Sequence, residues 1–452
     1  MSLRKIIWIL AAALVLLVAG IAVLVIVTLE RGEDEIPVAS FDPSGLVAVE
    51  FNQDETASSL WLENGKWNIN KNSRIPFSEE AFVQYILAVS DVTAQKQLSY
   101  NAENLKEYGL DDPSKNTTFL FKDGSTLVFR AGEITPDQQG VYIEQGERIF
   151  IVELLMGMYL SGSAKNFVNP ELTQRPGEDL LSIELFTMET EDKTCRFALK
   201  SAQEQAKSSS VCVYRMNVPF DLDIDPDWMT DYFDLFYTLS ADSVFALTRT
   251  GQPYISQDRL FGKIDYTFKG AAHTLCFYPL DGGEGYAVTV DDFDLVFSVS
   301  EEKAKSLFVP PEAMVTRFIY TNNLNALSEI SVTAEGKETK IGLTWKSEED
   351  LSAVCNGQSV SDKDVRRLYV LFLKARINAL SDESYGSLFL TVKLTEKSGT
   401  ADTLRFYDSG REQVAVTVNG KPGVFTDRQS VSVFMDNVKR LAAGEPVEEV
   451  IG

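Results

Sequence analysis

A single histidine, His273, in 452 residues removes most of the usual hydrolytic chemistry, because a Ser/His/Asp or Cys/His arrangement needs an imidazole that titrates near neutral pH. In KGAAHTLCF it stands beside an expected hairpin turn and reads as a surface or turn residue. HExxH cannot be written with one His, and no GxxxxGK[ST] loop exists. Cysteine is also scarce. Cys195, Cys212, Cys276 and Cys355 are widely spaced with no C-x-x-C, which excludes the common zinc patterns. Cys195 and Cys212 fall in two strand-like runs, TCRFAL and VCVYRM, that could form a hairpin; the spacing leaves both a disulfide and two buried thiols open. Positive charge is short as well, with 42 Lys and Arg against 66 Asp and Glu. That field repels nucleic acid and anionic head groups, so nucleic-acid binding is excluded as an expectation.

Charge is missing altogether from Ile6 to Leu29, IIWILAAALVLLVAGIAVLVIVTL. At about 1.5 Å per residue the run crosses a hydrocarbon core of about 30 Å. It is expected to be a transmembrane helix, since a cleaved signal would have a shorter apolar region and a small-residue cleavage site. Arg4 and Lys5 precede it, in a short N-terminus of residues 1–5 expected on the cytoplasmic side, and Glu30, Glu33, Asp34 and Glu35 follow it. The other 40 Lys and Arg and all 66 Asp and Glu come after the run, a formal charge of −26 on the extracytoplasmic body.

The body has globular composition, with 44% apolar and 24% charged residues, and its length suggests about three units. One order of elements is expected to recur three times: a hairpin, a helix, another hairpin, and a strand pair closing with a short helix. Ser78 caps the first helix, with Phe82, Tyr85, Ile86 and Val89 on one face. Asp225 caps the second, Pro226 opens it, and Trp228, Tyr232, Leu235, Phe236 and Leu239 form the stripe. Ser361 caps the third, with Val365, Leu368, Tyr369 and Phe372 inward. Leading strands begin at Leu46, Leu180 and Leu327; closing strands include GVYIEQGERIFIV and two copies of AVTV, at Ala287 and Ala415. Asn64-Gly65, Asp123-Gly124 and Asn419-Gly420 are two-residue hairpin signals. The expected fold is α+β: a linker over residues 30–42, then three modules over 43–175, 176–321 and 322–452, each an antiparallel sheet covered by one main helix. NPELTQRPGED and YTNNLN read as the linkers between modules.

An aromatic-Gly step recurs in front of a strand in every copy: Tyr108-Gly109, Phe261-Gly262 and Tyr385-Gly386. It reads as a structural joint, the ring anchoring in the core and the glycine permitting positive φ or a close approach. Trp67, in the hairpin NGKW, is expected to be structural too.

These segments carry a resemblance. The anchor, LVAVEF, NGKW, YGLDDP at Tyr108–Pro113, DGSTLVFRAG at Asp123–Gly132 and VYI at Val141 resemble the bacterial domain of unknown function 4340 family, most strongly over about residues 40–170. The resemblance implies a membrane-anchored, extracytoplasmic protein linked to ABC-type export systems. It supplies no catalytic residues.

Metal chemistry has one candidate. Asp221, Asp223, Asp225 and Asp227 alternate like the start of a calcium loop, but Pro226 and Tyr232 stand where Gly and Glu are needed. The preferred reading makes Asp225-Pro226 a helix start. DGGEG at Asp281–Gly285 reads as a turn. The expectation is therefore no catalytic, cofactor or metal site, and a single-pass, membrane-anchored scaffold or partner-binding protein whose partners include transport subunits. The alternative is a cell-envelope carbohydrate-binding protein or hydrolase using a carboxylate pair.

Overall fold

The helices form where the capping signals put them. In the computed structural model, Ser78 Oγ accepts from the Ala81 N–H and opens Glu79–Val89, which buries Phe82, Tyr85, Ile86 and Val89. Asp225 accepts from the N–H groups of Asp227 and Trp228 and opens Pro226–Tyr237. Of its expected stripe Tyr232, Phe236 and Leu239 are buried and Trp228 is half-buried, but Leu235 is exposed and Met229, Phe233 and Tyr237 are buried in addition. Asp362–Leu373 buries the four expected residues and Leu371, although Ser361 makes no side-chain cap. The structure describes residues 35–448 except 53–56, 72, 174–180, 208–211, 284, 382–385 and 411, and leaves out the side chains at 102, 257, 381, 422 and 423. The run Ile6–Leu29 and Tyr385 lie outside the described residues. Among the described residues no helix is long and apolar enough to cross a membrane.

The turns are mostly of the two-residue type. Asn64-Gly65 and Asn419-Gly420 have positive φ at both positions, and so do Lys269-Gly270, Glu335-Gly336 and Asn356-Gly357. The last three were not read from the sequence. A glycine in second place is their shared signal, and Lys269 and Glu335 tolerate a left-handed conformation that costs about 1 kcal/mol. Asp123-Gly124 departs from expectation. Three residues, Lys122 to Gly124, link Phe121 to Ser125, and only Gly124 has positive φ. The Asp123 carboxylate accepts from the Ser125 N–H at 2.9 Å and holds the longer loop.

Every strand pairing is antiparallel, and the described chain divides into two compact units, up to Asn169 and from Pro170. In the first unit an eight-stranded sheet runs Lys66–Ile69, Ser58–Glu63, Leu46–Phe51, Thr117–Phe121, Thr126–Ile134, Gly140–Glu144, Ile149–Glu153, Lys96–Leu98. A separate strand pair joins Ile36–Ser40 to Asp91–Ala94.

The second unit holds two nine-stranded sheets. One runs Leu222–Asp223, Tyr214–Val218, Thr194–Leu199, Ile183–Thr190, Gly262–Phe268, Ala271–Pro279, Tyr286–Val290, Val296–Val299, Ser243–Ala246. The other runs Gln358–Val360, Leu351–Cys355, Lys337–Trp345, Leu327–Ala334, Leu388–Glu396, Ala401–Asp408, Gln413–Val418, Lys421–Asp427, Ile377–Ser381. In all three sheets the leading strand is central and pairs with the strand that follows the aromatic-Gly step. In each, the chain leaving the main helix crosses to the far edge.

One main helix per sheet is not enough. Nine strands about 4.8 Å apart make a face near 38 Å wide, against about 10 Å for a helix. A second helix therefore lies on each sheet: Leu154–Leu160, Glu301–Leu307 and Arg428–Ala442. Tyr85 and Tyr159 rings meet at 5.9 Å, the Tyr232 hydroxyl donates to the Leu307 carbonyl at 3.0 Å, and Phe372 packs on Phe434 at 5.3 Å. Thr117 Oγ1 donates to the Leu160 carbonyl from the same sheet face that Phe51 and Phe119 present to Tyr85, so both helices of the first unit share that face.

Candidate functional site

The two halves of the segment Tyr108–Gly132 clasp each other. The 3-10 helix Ala102–Tyr108 ends at Gly109, whose φ is 69°, and the Leu110 N–H closes it on the Leu105 carbonyl at 2.9 Å. A Cβ on Gly109 would lie 2.7 Å from Glu133 Cγ and 3.0 Å from its backbone nitrogen. Gly132, at the other end, approaches the Tyr108 carbonyl so closely that a Cβ would fall 2.0 Å from it. Arg130 Nη1 donates to the Leu110 carbonyl at 3.3 Å and its other nitrogen pairs with buried Glu144. Tyr108 is only half-buried, lying against Tyr142 at 4.7 Å. The core anchor of this turn is Leu110. Asp111 and Asp112 point outward, and the Asp112 carboxylate, bonded by the Ser114 hydroxyl and N–H, sits below its ordinary value.

The related steps use different contacts. Gly262 begins a strand without positive φ, and a Cβ there would lie 2.5 Å from the Phe308 ring; half-buried Phe261 meets Tyr286 at 4.8 Å and Phe308 at 5.3 Å. At Gly386 a Cβ would fall 1.8 Å from the Asp408 carbonyl. Trp67 is half-buried and lies 4.5 Å from Phe82.

The alternating acids diverge. Asp225 caps its helix, whereas Asp221 and Asp223 join a charged seam between the two sheets of the second unit. Register places Arg215 opposite Asp223 across a tight hairpin. Arg215 reaches Asp223 Oδ1 at 3.3 Å and Asp221 Oδ1 at 2.7 Å. Lys200 Nζ donates to Asp223 Oδ2 at 2.9 Å and to the Cys212 carbonyl at 3.0 Å. These two side chains are 5% and 1% exposed, a depth at which neither charge is tolerable alone. Thr321 also donates to Asp223.

The third sheet answers from the other side. Asn419 Nδ2 bridges Asp221 Oδ2 at 2.7 Å and Asp402 Oδ1 at 2.9 Å, and Lys421 Nζ donates to the Asn217 carbonyl at 2.7 Å. Glu396 Oε2 takes Lys207 Nζ at 2.5 Å and the hydroxyls of Ser398 and Thr400. The connecting segment, expected as a linker, is stitched into this seam: Asn322 donates to Glu396 Oε1 at 3.2 Å, Asn323 N–H donates to the Lys207 carbonyl at 2.7 Å, and the Tyr369 hydroxyl donates to the Asn322 carbonyl.

Burial alone would raise the Asp221 carboxyl, but Arg215, Asn419 and Lys421 carry it below its ordinary value; burial likewise opposes, and Lys207, Thr400 and Ser398 outweigh it, at Glu396. A cavity of about 250 Å³ remains, lined by Lys207, Arg215, Asp221, Glu396, Asp402 and Asn419 among others. Its cations already hold carboxylates, so its chemistry is that of a fastening. Sequence reasoning missed it: the Arg215–Asp223 pairing appears only in the strand register, and nothing local pointed to Lys200, Lys207 or Glu396.

A wider opening of about 380 Å³ lies beside Phe261 and Gly262, with Glu189, Glu191 and Asp258 on its walls. Among the described residues no three His, Cys, Asp or Glu side chains converge as metal ligands. His273 lies in a strand, 2.9 Å from Asp292 Oδ2 and stacked on Tyr266. Cys195 and Cys212 are not bridged: Leu199 pairs with Tyr214 and Arg196 with Val218, which puts the two cysteines at opposite ends of the hairpin. Burial, with Glu312 adding to it, pushes the Cys195 thiol up to about 12.

Fold and seam together define an α+β protein of broad antiparallel sheets with helices on one face, in which a polar cluster joins two of its own sheets. A family model matches part of the chain. Residues 67–258 match the family model of a domain of unknown function, DUF4340, and the resemblance read from NGKW, YGLDDP and FRAG is to that family. The match begins at Trp67 and runs through the second sheet's main helix to Asp258, past the end of the first unit. No curated protein and no solved structure matches the chain.

Proposed function

We propose that this protein is a single-pass, membrane-anchored extracytoplasmic scaffold of three copies of one α+β plan, serving as an accessory, partner-binding component of a membrane transport complex. The observation that carries the scaffold reading is the seam. The buried Lys200–Asp223 pair and Arg215 brace one side, while Asp221 with Asn419, Lys207 with Glu396 and Lys421 with the Asn217 carbonyl join it to the other sheet, and this suits a rigid spacer better than a reaction site. The shared strand order of the sheets supports the three-copy plan. The uncharged run Ile6–Leu29, six residues before the first described strand, supports the anchor, and Arg4 and Lys5 just before it support an outward orientation of the body. The link to ABC-type export rests on the family resemblance alone.

Co-purification of the full chain in mild detergent tests the reading. Recovery with ATPase or permease subunits is expected; a lone chain from membranes that contain those subunits refutes the accessory role. Protease added to cells stripped of any outer membrane should remove the body, whether it stands at the cell surface or in the periplasm, and protection of the body there refutes the orientation.

A further inference from the structure

Past Glu79 and Glu80, the helical layer of the first unit lacks charge. Ala81–Ser90 and Leu154–Ala164 contain no Asp, Glu, Lys or Arg, where the chain's average of 24% would put about five, and charge depletion with Met and aromatic enrichment is the composition of an interface core. The inner sides of both helices are used by the sheet. The outer sides are not: Val83 is 54% exposed, Leu87 70%, Leu155 59% and Met158 59%. A helix apolar on both sides belongs between two layers, and the described chain supplies one.

The position of this layer suggests what covers it. Ser90, the end of the first helix, accepts the Phe41 N–H at 3.0 Å, and Ile36–Ser40 pairs with Asp91–Ala94 directly after it. Six residues separate Ile36 from the end of the uncharged run, a span of no more than about 25 Å. The layer is thus tied close to the anchor. Glu79, Glu80 and Asp91 are exposed at the ends of the first helix, and Glu30, Glu33, Asp34 and Glu35 crowd the tether. An anionic lipid surface is repelled by that rim, and a second copy would bring the same acids together.

The geometry points to a heterologous partner: an apolar helical segment flanked by Lys or Arg, presented by another protein of the same membrane and seated on Val83, Leu87, Leu155 and Met158. This rests on the accessory reading above and names the partner's chemistry. The four side chains offer roughly 400 Å², half of the ~800 Å² per partner of a stable free interface. Confinement to one bilayer compensates for the small area by raising the effective concentration.

The test uses the full chain in its native membrane, with a photoreactive phenylalanine analogue in place of Leu87 or Met158 and, as control, of Val354, which is 45% exposed on the third sheet. The expected result is an adduct from the first two positions and not the third, mapped by mass spectrometry to a Lys/Arg-flanked apolar segment of another membrane protein. Leu155→Glu should reduce its yield about tenfold, while the circular dichroism melt stays unchanged, and Val354→Glu should leave the yield as it was. An adduct to lipid, an adduct to a second copy, equal labelling from Val354, or no adduct overturns the inference. Loss of the adduct with transport subunits still co-purifying removes only this surface; failure of any subunit to co-purify removes the accessory reading itself.

Discussion

Asp223→Ala should be the most damaging single change in the seam. It leaves Lys200, with 5% of its side chain exposed, buried as a cation whose remaining contact there is the Cys212 carbonyl. It also takes an acceptor from Arg215 and from Thr321. Breaking a buried pair by removing one partner costs about 3–5 kcal/mol, and in a unit of this size about 2 °C is lost per kcal/mol, so the melting temperature should fall by roughly 6–10 °C. Urea unfolding followed by near-ultraviolet circular dichroism measures it. One further arm isolates the cause. Lys200→Met in the Asp223→Ala background should recover at least half of the loss, because no charge is then stranded. A loss below about 1 kcal/mol, with no recovery in the double variant, would mean that water reaches Lys200 and that the seam is not the fastening argued here.

Gly109→Val places a β-branched residue at φ 69° with Cβ against the Glu133 backbone; a loss of about 2–3 kcal/mol confined to the first unit is expected, and an unchanged melt refutes the joint reading. Asp221 and Glu396 both hold lowered carboxyl pKa values. The unfolded chain therefore binds their protons first, and their stabilisation, complete above the ordinary carboxyl range, is lost as pH falls through the folded values; urea midpoints of the second unit should decline between about pH 5 and pH 3. A flat profile there would remove these pairs from the stability of the seam. With its thiol raised to about 12, Cys195 should alkylate at pH 8 about a thousandfold more slowly in the native chain than in urea; rapid native labelling would show that the site is open.

Much of the local structure was legible because it depends on neighbours in the chain. Ser78 and Asp225 cap through their own next residues, Asn64-Gly65 and Asn419-Gly420 turn through their own φ angles, and the apolar stripes of Glu79–Val89 and Asp362–Leu373 follow the helical period. In the stripe of Pro226–Tyr237 only Leu235 failed, because seven of the twelve residues are apolar and periodicity could not choose between Leu235 and Phe233; the sheet beneath did. Asp123-Gly124 failed because the Asp123 carboxylate had a better use at Ser125 than a left-handed backbone.

The charged seam was beyond reach for a different reason. Lys207 and Glu396 are 189 positions apart and Asp221 and Asn419 are 198, and no local preference links such residues. The sequence by itself determined the uncharged run and the acidic body, and through short-range sterics and hydrophobic period the caps at Ser78 and Asp225, the turns at Asn64-Gly65 and Asn419-Gly420, and the succession of strands and helices along the chain. Only the tertiary structure decided that Gly132 gives room to the Tyr108 carbonyl, that the expected closing helix lies beside the main one on each sheet, that an expected linker is a fastening, and that Val83, Leu87, Leu155 and Met158 lie outside the core. Those outcomes depend on which distant surfaces meet, and burial, which makes a paired charge strong and an uncovered leucine conspicuous, exists only after they have met.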